Sequence, residues 1–190
     1  MSLKNKLVDN KPREIAGPRT ASRYNFQENA SLWLLLEIHN KSQDYLIAFD
    51  YHDDVLILDE SEPQVLSFYQ IKGKEGVWKL GDLLKSQGNG YSIFGKLYYC
   101  KTVLSETTEL NFLSNARYDI PLKNNQSGAS KSTIHLIDLP FKEREKIRTK
   151  LKGEYPSHNP VEFHDLAFLK VLDISLKDSS AHMKGKLVSC

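Results

Sequence analysis

The hydrophobic pattern of the first half of the chain predicts one helix followed by three short strands. Residues 21–39 have a helix-like composition and a strongly apolar second half, so we expect a helix that is buried along that half. Three β-rich segments follow, separated by turn-like stretches at 51–54 and 59–63. These segments are Tyr45–Asp50, Asp54–Leu58 and Val65–Lys72. A three-strand meander is the simplest arrangement for them.

The pattern of the second half alternates between helices and strands. Helices are predicted at 78–87, 92–104 and 141–152, and strands at 109–114, 134–138, 168–176 and 184–188. The segment Gly88–Gly90 separates the first two helices, and a polar loop at 121–133 follows the first of these strands. That loop lacks the second glycine and the following lysine of a phosphate-binding P-loop. The order of elements indicates an α/β protein.

Length and composition limit the number of domains. The chain has 190 residues, of which 40% are hydrophobic, which is enough to bury one sizeable core. We therefore expect a single domain over residues 21–190, preceded by a flexible lead-in over residues 1–20. Because the sequence stops on the strand-like stretch KGKLVSC, we also expect the chain to be the front part of a longer protein.

Cysteine content and hydropathy indicate a cellular compartment. Cys100 and Cys190 are too few and too far apart for a disulfide framework or a zinc site, which fits a reducing compartment. The longest apolar run, Leu32–Leu36, is far too short to span a bilayer, and the first thirty residues lack an apolar signal segment. These features predict a cytoplasmic protein without a membrane role.

The charge balance restricts how the protein could bind nucleic acid. Lys and Arg number 26 against 24 Asp and Glu, so any contact with nucleic acid must come from local basic patches. One patch lies in residues 1–23 and includes Arg19 and Arg23; the other is KEREKIRTKLK at 142–152. The DNA-contacting candidates in the second patch are Lys146, Arg148 and Lys150. A solvated tail and a solvated helix face are the alternatives for these two segments.

The third predicted strand carries the residues with the clearest chemistry. Gln70 and Lys72 are two residues apart, so their side chains emerge on the same face, and a meander would place Asp54 beside them. A carboxylate and an amide oxygen can hold a hard divalent cation, while the lysine ammonium can orient an attacking water. Metal-dependent phosphodiester cleavage requires such an arrangement. Polar strand ends that emerge into solvent produce the same pattern, so these three residues alone do not distinguish a cleavage site from solvent-exposed strand ends.

Five segments in a fixed order carry a family resemblance. They are RTASRYNFQENASLWLLLEI (19–38), LIAFDYHDDVLILD (46–59), FYQIKGKEGVWKLGDLL (68–84), FGKLYYC (94–100) and LNFLSN (110–115). Together they resemble the N-terminal nuclease domain of CD-NTase-associated, SAVED-linked effector proteins of bacterial anti-phage systems. That domain is a branch of the PD-(D/E)XK restriction-endonuclease-like superfamily. The resemblance implies an α/β fold with a restriction-endonuclease-like core, in which helices flank a central mixed sheet.

The resemblance also implies a role for individual residues. Asp54 would be the metal-binding aspartate, Gln70 would occupy the acid position of the (D/E)XK element, and Lys72 would be its lysine. Gln27 matches the glutamine of the family's first helix, which faces the site. Ile71 would contribute its backbone carbonyl as a further metal ligand.

Several positions depart from the family pattern or lie near the expected site. Gln70 replaces the commoner glutamate and removes one negative charge from the metal site. Asp50 stands where a glutamate is expected, so its carboxylate reaches one methylene less. Glu37 is a further candidate ligand, with a partly exposed helical glutamate as the alternative. His52 lies close enough in sequence to participate, whereas Asp53 is expected to be a turn residue.

These observations lead to an expected function. We expect a Mg²⁺-dependent endonuclease, with Mn²⁺ able to substitute, that hydrolyses double-stranded DNA in anti-phage defence with little direct base readout. The resemblance implies a C-terminal sensor for cyclic oligonucleotides in a longer parent protein, or a HerA-type ATPase partner, and a homo-oligomer when active. The main alternative is a non-catalytic module that binds DNA or docks onto an ATPase. Cleavage of RNA also stays open, because phosphate contacts do not encode the sugar.

Overall fold

A computed structural model describes residues 21–52, 54–88, 90–123, 126–175, 183 and 185. The side chains of residues 21–23 lie outside the description, as does the predicted lead-in at 1–20. Within the described ranges, no helix combines the length and the apolar character needed to cross a membrane.

The helices and strands follow one another in an α/β order. They are α1 (Ala21–His39), β1 (Tyr45–Phe49), β2 (Val55–Asp59), β3 (Val65–Ile71), α2 (Leu80–Leu84), α3 (Ile93–Val103), β4 (Glu109–Ser114), β5 (Thr133–His135), α4 (Phe141–Glu154), α5 (Phe163–Leu166) and β6 (Ala167–Val171). Short 3₁₀ turns lie at Gly128–Ser130, Leu136–Asp138 and Pro160–Glu162. The bounds of α1 and β4 agree with those predicted from the sequence.

The strands form one mixed sheet in the order β1-β2-β3-β4-β6-β5. The first three strands pair antiparallel as the predicted meander. The pairs β3–β4 and β4–β6 are parallel, and β5 pairs antiparallel with β6. A parallel pair needs a crossover connection, which α2 and α3 provide between β3 and β4. The predicted fold class, a mixed sheet flanked by helices, is therefore confirmed.

The sheet separates two hydrophobic cores because alternate strand residues point to opposite faces. On one face, Leu56 and Phe68 pack with residues of α3 and α4, and we call this side the α3 face. On the other, Ile57 and Ile71 pack with residues of α1, and we call this side the α1 face. The side chains of residues 70 and 72 therefore belong to the α3 face, and that of Tyr69 belongs to the α1 face.

Some predicted elements differ from those observed. The helix predicted at 78–87 is reduced to α2, because Trp78 instead forms an extended bridge to Tyr118. The strand predicted at 134–138 ends at His135 and continues as a 3₁₀ turn. The short α5 was not predicted. Of the strand predicted at 184–188, only Gly185 is described, and it is helical.

Candidate active site

The hairpin of β2 and β3 brings Asp54 and Gln70 together. Val55 pairs with Tyr69 across the two strands, and continuing this register by one residue places Asp54 opposite Gln70 on the α3 face. The Oδ2 atom of Asp54 accepts a hydrogen bond of 2.6 Å from the backbone N–H of Ile71. Both side chains are buried, with exposures of 8% for Asp54 and 4% for Gln70. The structure thus places an acidic and an amide side chain next to each other, both largely shielded from solvent.

Gln70 carries an unsatisfied acceptor. Its Oε1 atom is buried and has no hydrogen-bond partner among the residues that the structure describes. More than about 90% of buried polar groups in proteins are paired, and an unpaired one costs about 1–3 kcal/mol. Such a group calls for a specific explanation, and an open oxygen opposite a buried carboxylate is compatible with a bound cation. Among the described residues, the Oδ1 atom of Asn111, on the α1 face, is also a buried acceptor without a partner.

The donor set around this acceptor fits a magnesium ion. It consists of the Asp54 carboxylate, the Gln70 amide oxygen and the Ile71 carbonyl, all of them hard oxygen donors. The Ile71 carbonyl accepts a hydrogen bond of 3.1 Å from Nε2 of Gln27, and its second lone pair can serve another donor or a cation. In the described part of the chain, no three His, Cys, Asp or Glu side chains form a group that could hold a metal. Mg²⁺ is often bound by one or two carboxylates together with substrate phosphates, so a single carboxylate is compatible with it.

The end of β4 fixes the backbone that carries Lys72. The Lys72 N–H donates to the Leu113 carbonyl at 3.0 Å, and the Ser114 hydroxyl donates to the Lys72 carbonyl at 2.6 Å. Lys74, two residues after Lys72, is held in a similar way. The Asn115 side chain accepts a hydrogen bond from the Lys74 N–H at 2.9 Å and donates one to the Lys74 carbonyl at 3.0 Å. The Lys72 side chain is partly buried. Sequence analysis did not assign this supporting role to Ser114 and Asn115; its only signal is the pair of polar residues that follows Leu113.

A tight loop connects β1 to Asp54. Asp50 and His52 both adopt left-handed backbone conformations, with φ of 54° and 55°. The Asp50 N–H donates to the Asp54 carbonyl at 3.0 Å, and the Asp50 side chain is exposed. The His52 ring lies edge-on to the rings of Tyr51 and Tyr99, at centroid distances of 4.5 and 5.9 Å. Asp53 lies outside the described residues.

Glu37 lies on the other side of the sheet. It projects from α1 into a cavity of about 430 Å³ on the α1 face, which Tyr69 and Lys170 also line. Its carboxylate is 3.5 Å from the ammonium of Lys41. The structure therefore does not bring Glu37 to Asp54 and Gln70, and the alternative of a partly exposed helical glutamate fits its position.

The polar groups in the α1-face cavity contact one another. Lys170 lies 3.6 Å from Glu109 and 5.6 Å from the centre of the Tyr69 ring. The Ser67 hydroxyl also donates to Glu109, at 3.3 Å. Burial lowers the pKa of Lys170 against the opposing effect of Glu109, and burial also raises the pKa of Tyr69. This cluster is internally paired.

The predicted DNA-contacting cations on α4 form ion pairs within their own helix. The pairs are Lys146 with Glu143 at 2.8 Å, Arg148 with Glu145 at 3.0 Å and Lys150 with Glu154 at 3.3 Å. Such i,i+3 and i,i+4 pairs are typical of solvated helix surfaces. Arg19 and the side chain of Arg23 lie outside the described part of the chain. Three of the six basic residues of the patch at 142–152 are therefore paired with glutamates of the same helix.

Comparison with known proteins adds one family match. A family model described as "Cap4, dsDNA endonuclease domain" matches residues 15–189. The matched range includes Gln27, Asp54, Gln70 and Lys72. No match was found among curated proteins or among solved structures.

Proposed function

Because the chain belongs to the Cap4 double-stranded DNA endonuclease domain family, we propose that it is a Mg²⁺-dependent enzyme that hydrolyses DNA phosphodiester bonds at the Asp54 and Gln70 site. One observation carries this assignment: the buried Oε1 atom of Gln70 lacks a hydrogen-bond partner among the described residues and lies opposite the Asp54 carboxylate. A purely structural glutamine at this position would leave a costly unpaired acceptor in the protein interior.

Each residue of the site has a distinct role in the proposed reaction. Asp54, Gln70 and the Ile71 carbonyl would hold the cation, and Gln27 orients that carbonyl through its hydrogen bond. When bound, Mg²⁺ offsets negative charge on the phosphate and lowers the pKa of water. Lys72 contributes a compact positive charge that can orient the attacking water and stabilise the charge that develops on a phosphate oxygen.

The reaction itself is a hydrolysis. A bond forms between the water oxygen and phosphorus, the bond from phosphorus to one sugar oxygen breaks, and a proton from the water ends on the leaving oxygen or in solvent. Hydrogen bonds from the end of β4 and from Asn115 to the backbone of residues 72–74 hold the backbone that carries Lys72 during this exchange. Such positioning is a large part of the catalytic effect in phosphate chemistry.

Binding to DNA would rest on backbone contacts without base readout. Contacts of this kind position a protein on the duplex but carry no sequence information. Candidate cations are Arg19, Arg23, Lys146, Arg148 and Lys150, and the three on α4 would have to exchange their glutamate partners for phosphates. We therefore expect the isolated chain to bind DNA weakly.

The same proposal includes a biological setting. The enzyme would act in the cytoplasm in bacterial anti-phage defence and cleave DNA as a homo-oligomer. A C-terminal sensor for cyclic oligonucleotides in a longer parent protein, or a HerA-type ATPase, would control this assembly. The family resemblance of the sequence supports this setting.

Cleavage of circular plasmid DNA tests the proposal. The parent should nick or linearise the plasmid with Mg²⁺ or Mn²⁺ and not with EDTA, and the rate should be measured over a range of protein concentrations to reveal any need for assembly. Lys72→Ala should lose cleavage, whereas Lys131→Ala, at an exposed lysine outside the site, should behave like the parent. The same cleavage assay with double-stranded RNA of the same length tests whether the enzyme cleaves DNA alone. DNA binding without cleavage at every concentration and with every metal would favour the non-catalytic alternative.

A further inference from the structure

The loop between β1 and β2 contains two non-glycine residues in the left-handed region. Asp50 and His52 have φ values of 54° and 55°. Residues with side chains rarely adopt this conformation, although Asp, Asn and His do so more readily than others. Such conformations persist where the surrounding structure holds them in place, and they are frequent at active sites.

The His52 ring is the part of the loop that is anchored. Both ring nitrogens are buried, and the ring makes edge-on contacts with Tyr51 and with Tyr99 of α3. Edge-to-face contacts between rings are favourable beyond the apolar area that they bury. Tyr51 and Tyr99 themselves pack against the hydrophobic core of the α3 face. The ring therefore ties the middle of the loop to a helix that is packed into the core.

The anchored loop ends at the carboxylate of the candidate site. The Asp50 N–H donates to the Asp54 carbonyl and closes the loop, and the Asp54 carboxylate accepts from the Ile71 N–H at 2.6 Å. A shift of the loop would move the carboxylate relative to Gln70, because only the residue at position 53 separates His52 from Asp54.

We propose that His52 is a positioning residue for the metal-binding carboxylate: its ring, held by Tyr99, fixes the Asp50–Asp54 loop and with it the side chain of Asp54. This inference rests on the proposed function, since it assumes that Asp54 binds the cation. Residues that support metal ligands typically cost about 10–100-fold in metal affinity or activity when they are replaced. His52 acts through Asp54 and needs no contact with the substrate.

Three replacements of His52 separate the effect of losing the ring from the effect of the backbone conformation. His52→Asn removes the ring but keeps a residue that tolerates the left-handed region; His52→Gly removes the ring and relieves the strain; His52→Ala removes the ring and keeps the strain. A positioning role predicts that all three weaken Mn²⁺ binding by about tenfold and slow plasmid cleavage to a similar extent. The unfolding temperature should instead depend on the backbone, with Ala the least stable.

The measurement is Mn²⁺ titration of the protein without DNA, followed by electron paramagnetic resonance, alongside plasmid cleavage and thermal unfolding. Tyr99→Phe keeps the ring and should retain parental Mn²⁺ binding, whereas Tyr99→Leu should weaken it as His52→Asn does. The matched control is His158→Gly, because the His158 ring also lies edge-on to two tyrosines, Tyr98 and Tyr155, but away from the site. That variant should keep Mn²⁺ binding and cleavage while its unfolding temperature falls.

The outcomes distinguish this inference from the proposed function. A folded His52→Asn variant with parental Mn²⁺ binding and cleavage, in a parent that binds and cleaves, would overturn the role of His52 alone. Losses that follow the unfolding temperature, with Ala worst and Gly near the parent, would show a structural role and would also overturn it. A parent that neither binds Mn²⁺ nor cleaves DNA would overturn the proposed function and this inference together.

Discussion

The two faces of the sheet treat buried polar groups differently. On the α1 face, Ser67, Asn111 and Lys170 all contact Glu109, although the Oδ1 atom of Asn111 has no hydrogen-bond partner among the described residues. On the α3 face, Gln70 is the next residue along the strand after Tyr69, yet its Oε1 atom has no hydrogen-bond partner in the described part of the chain. The contrast shows that burial of polar groups does not by itself mark a functional site. The informative feature is the position of the open acceptor: the Gln70 oxygen lies opposite the Asp54 carboxylate, whereas the Asn111 side chain contacts a carboxylate that pairs with Lys170.

The largest expected effect comes from Lys72 and Asp54, the charged residues of the candidate site. Lys72→Ala and Asp54→Ala should each reduce plasmid cleavage on the order of a hundredfold or more, because each removes charge that acts on the reacting phosphate. Lys72→Ala should leave the free energy of unfolding within about 1–2 kcal/mol of the parent. Asp54→Ala should cost about 1–3 kcal/mol, because the Ile71 N–H then loses its buried acceptor. Urea unfolding and cleavage assays check both, and full cleavage by either variant would contradict the site.

Gln70 offers a test in which activity and stability change in opposite directions. Gln70→Leu removes the Oε1 atom that lacks a partner among the described residues and puts an apolar side chain of similar size in its place. We therefore expect about 1–2 kcal/mol of added stability together with loss of cleavage. Gln70→Glu adds a carboxylate and should retain or strengthen Mg²⁺ binding, while Gln70→Ala should lose activity. Calorimetric Mg²⁺ titration and urea unfolding measure these effects. Parental cleavage by Gln70→Ala would show that this side chain does not face the metal.

Variants of the α1 face should instead lose stability and keep cleavage. Lys170→Met removes one partner of the ion pair with Glu109 and should destabilise the protein by about 1–2 kcal/mol, less than a fully buried pair because both side chains are partly exposed. Cleavage by the folded variant should equal that of the parent. Glu109→Gln, which keeps an acceptor for Ser67, serves as the milder matched variant. A selective loss of cleavage without loss of stability would mean that the α1 face also takes part in the reaction.

A smaller effect is expected from the cations of α4. Each phosphate contact contributes a slope of about −0.9 to the logarithm of affinity against the logarithm of salt concentration. Replacing Lys146, Arg148 and Lys150 by Gln should make the slope shallower by less than about 1, because each cation already has a glutamate partner. Replacing Glu143 and Glu145 by Gln is the matched variant and should steepen the slope. A change of about 2.7 in the first variant would show instead that all three ion pairs open to DNA.

The smallest expected effect is a pH dependence of stability that is remote from the site. Burial lowers the pKa of His164, whose Nε2 atom lies 3.0 Å from the Arg144 carbonyl. The unfolded chain therefore binds a proton more readily, and stability that is present above pH of about 6.5 is lost as the pH falls through the lower folded-state value. His164→Gln should flatten this dependence in urea unfolding between pH 7.5 and 5. An unchanged slope in that variant would assign the dependence to other groups.

Much of the fold and part of the site follow from local sequence patterns. The period of two placed Gln70 and Lys72 on one face, and the meander placed Asp54 beside Gln70, because antiparallel neighbours in sequence are neighbours in space. The support of Lys72 by Ser114 could not be found in this way, since it joins residues 42 apart through a parallel pairing. The lack of a described partner for the Gln70 Oε1 atom depends on every surrounding side chain and has no sequence signal.

Other differences have equally specific causes. Trp78 lies in an apolar stretch that predicts a helix. Its backbone instead pairs with that of Tyr118 in an extended bridge, so the helix begins only at Leu80. The nucleic-acid contact expected of the cations of α4 stays a prediction. Their glutamate partners one turn away reduce the positive charge there, and this reduction depends on the side-chain geometry of the folded helix.

The residues that contact one another in the site are separated by different distances along the sequence, and this affects the order of folding. The Asp54 carboxylate and the Ile71 N–H are 17 residues apart, within a local meander, whereas the contacts that fix residues 72–74 span 41 or 42 residues. Contacts between distant residues form slowly, because the chain must first lose the entropy of closing the intervening loop. We therefore expect the hairpin that carries the proposed metal ligands to form first and Lys72 to reach its final position only when the crossover to β4 closes. A chain that is still folding would thus hold the ligands for a metal before it could cut DNA.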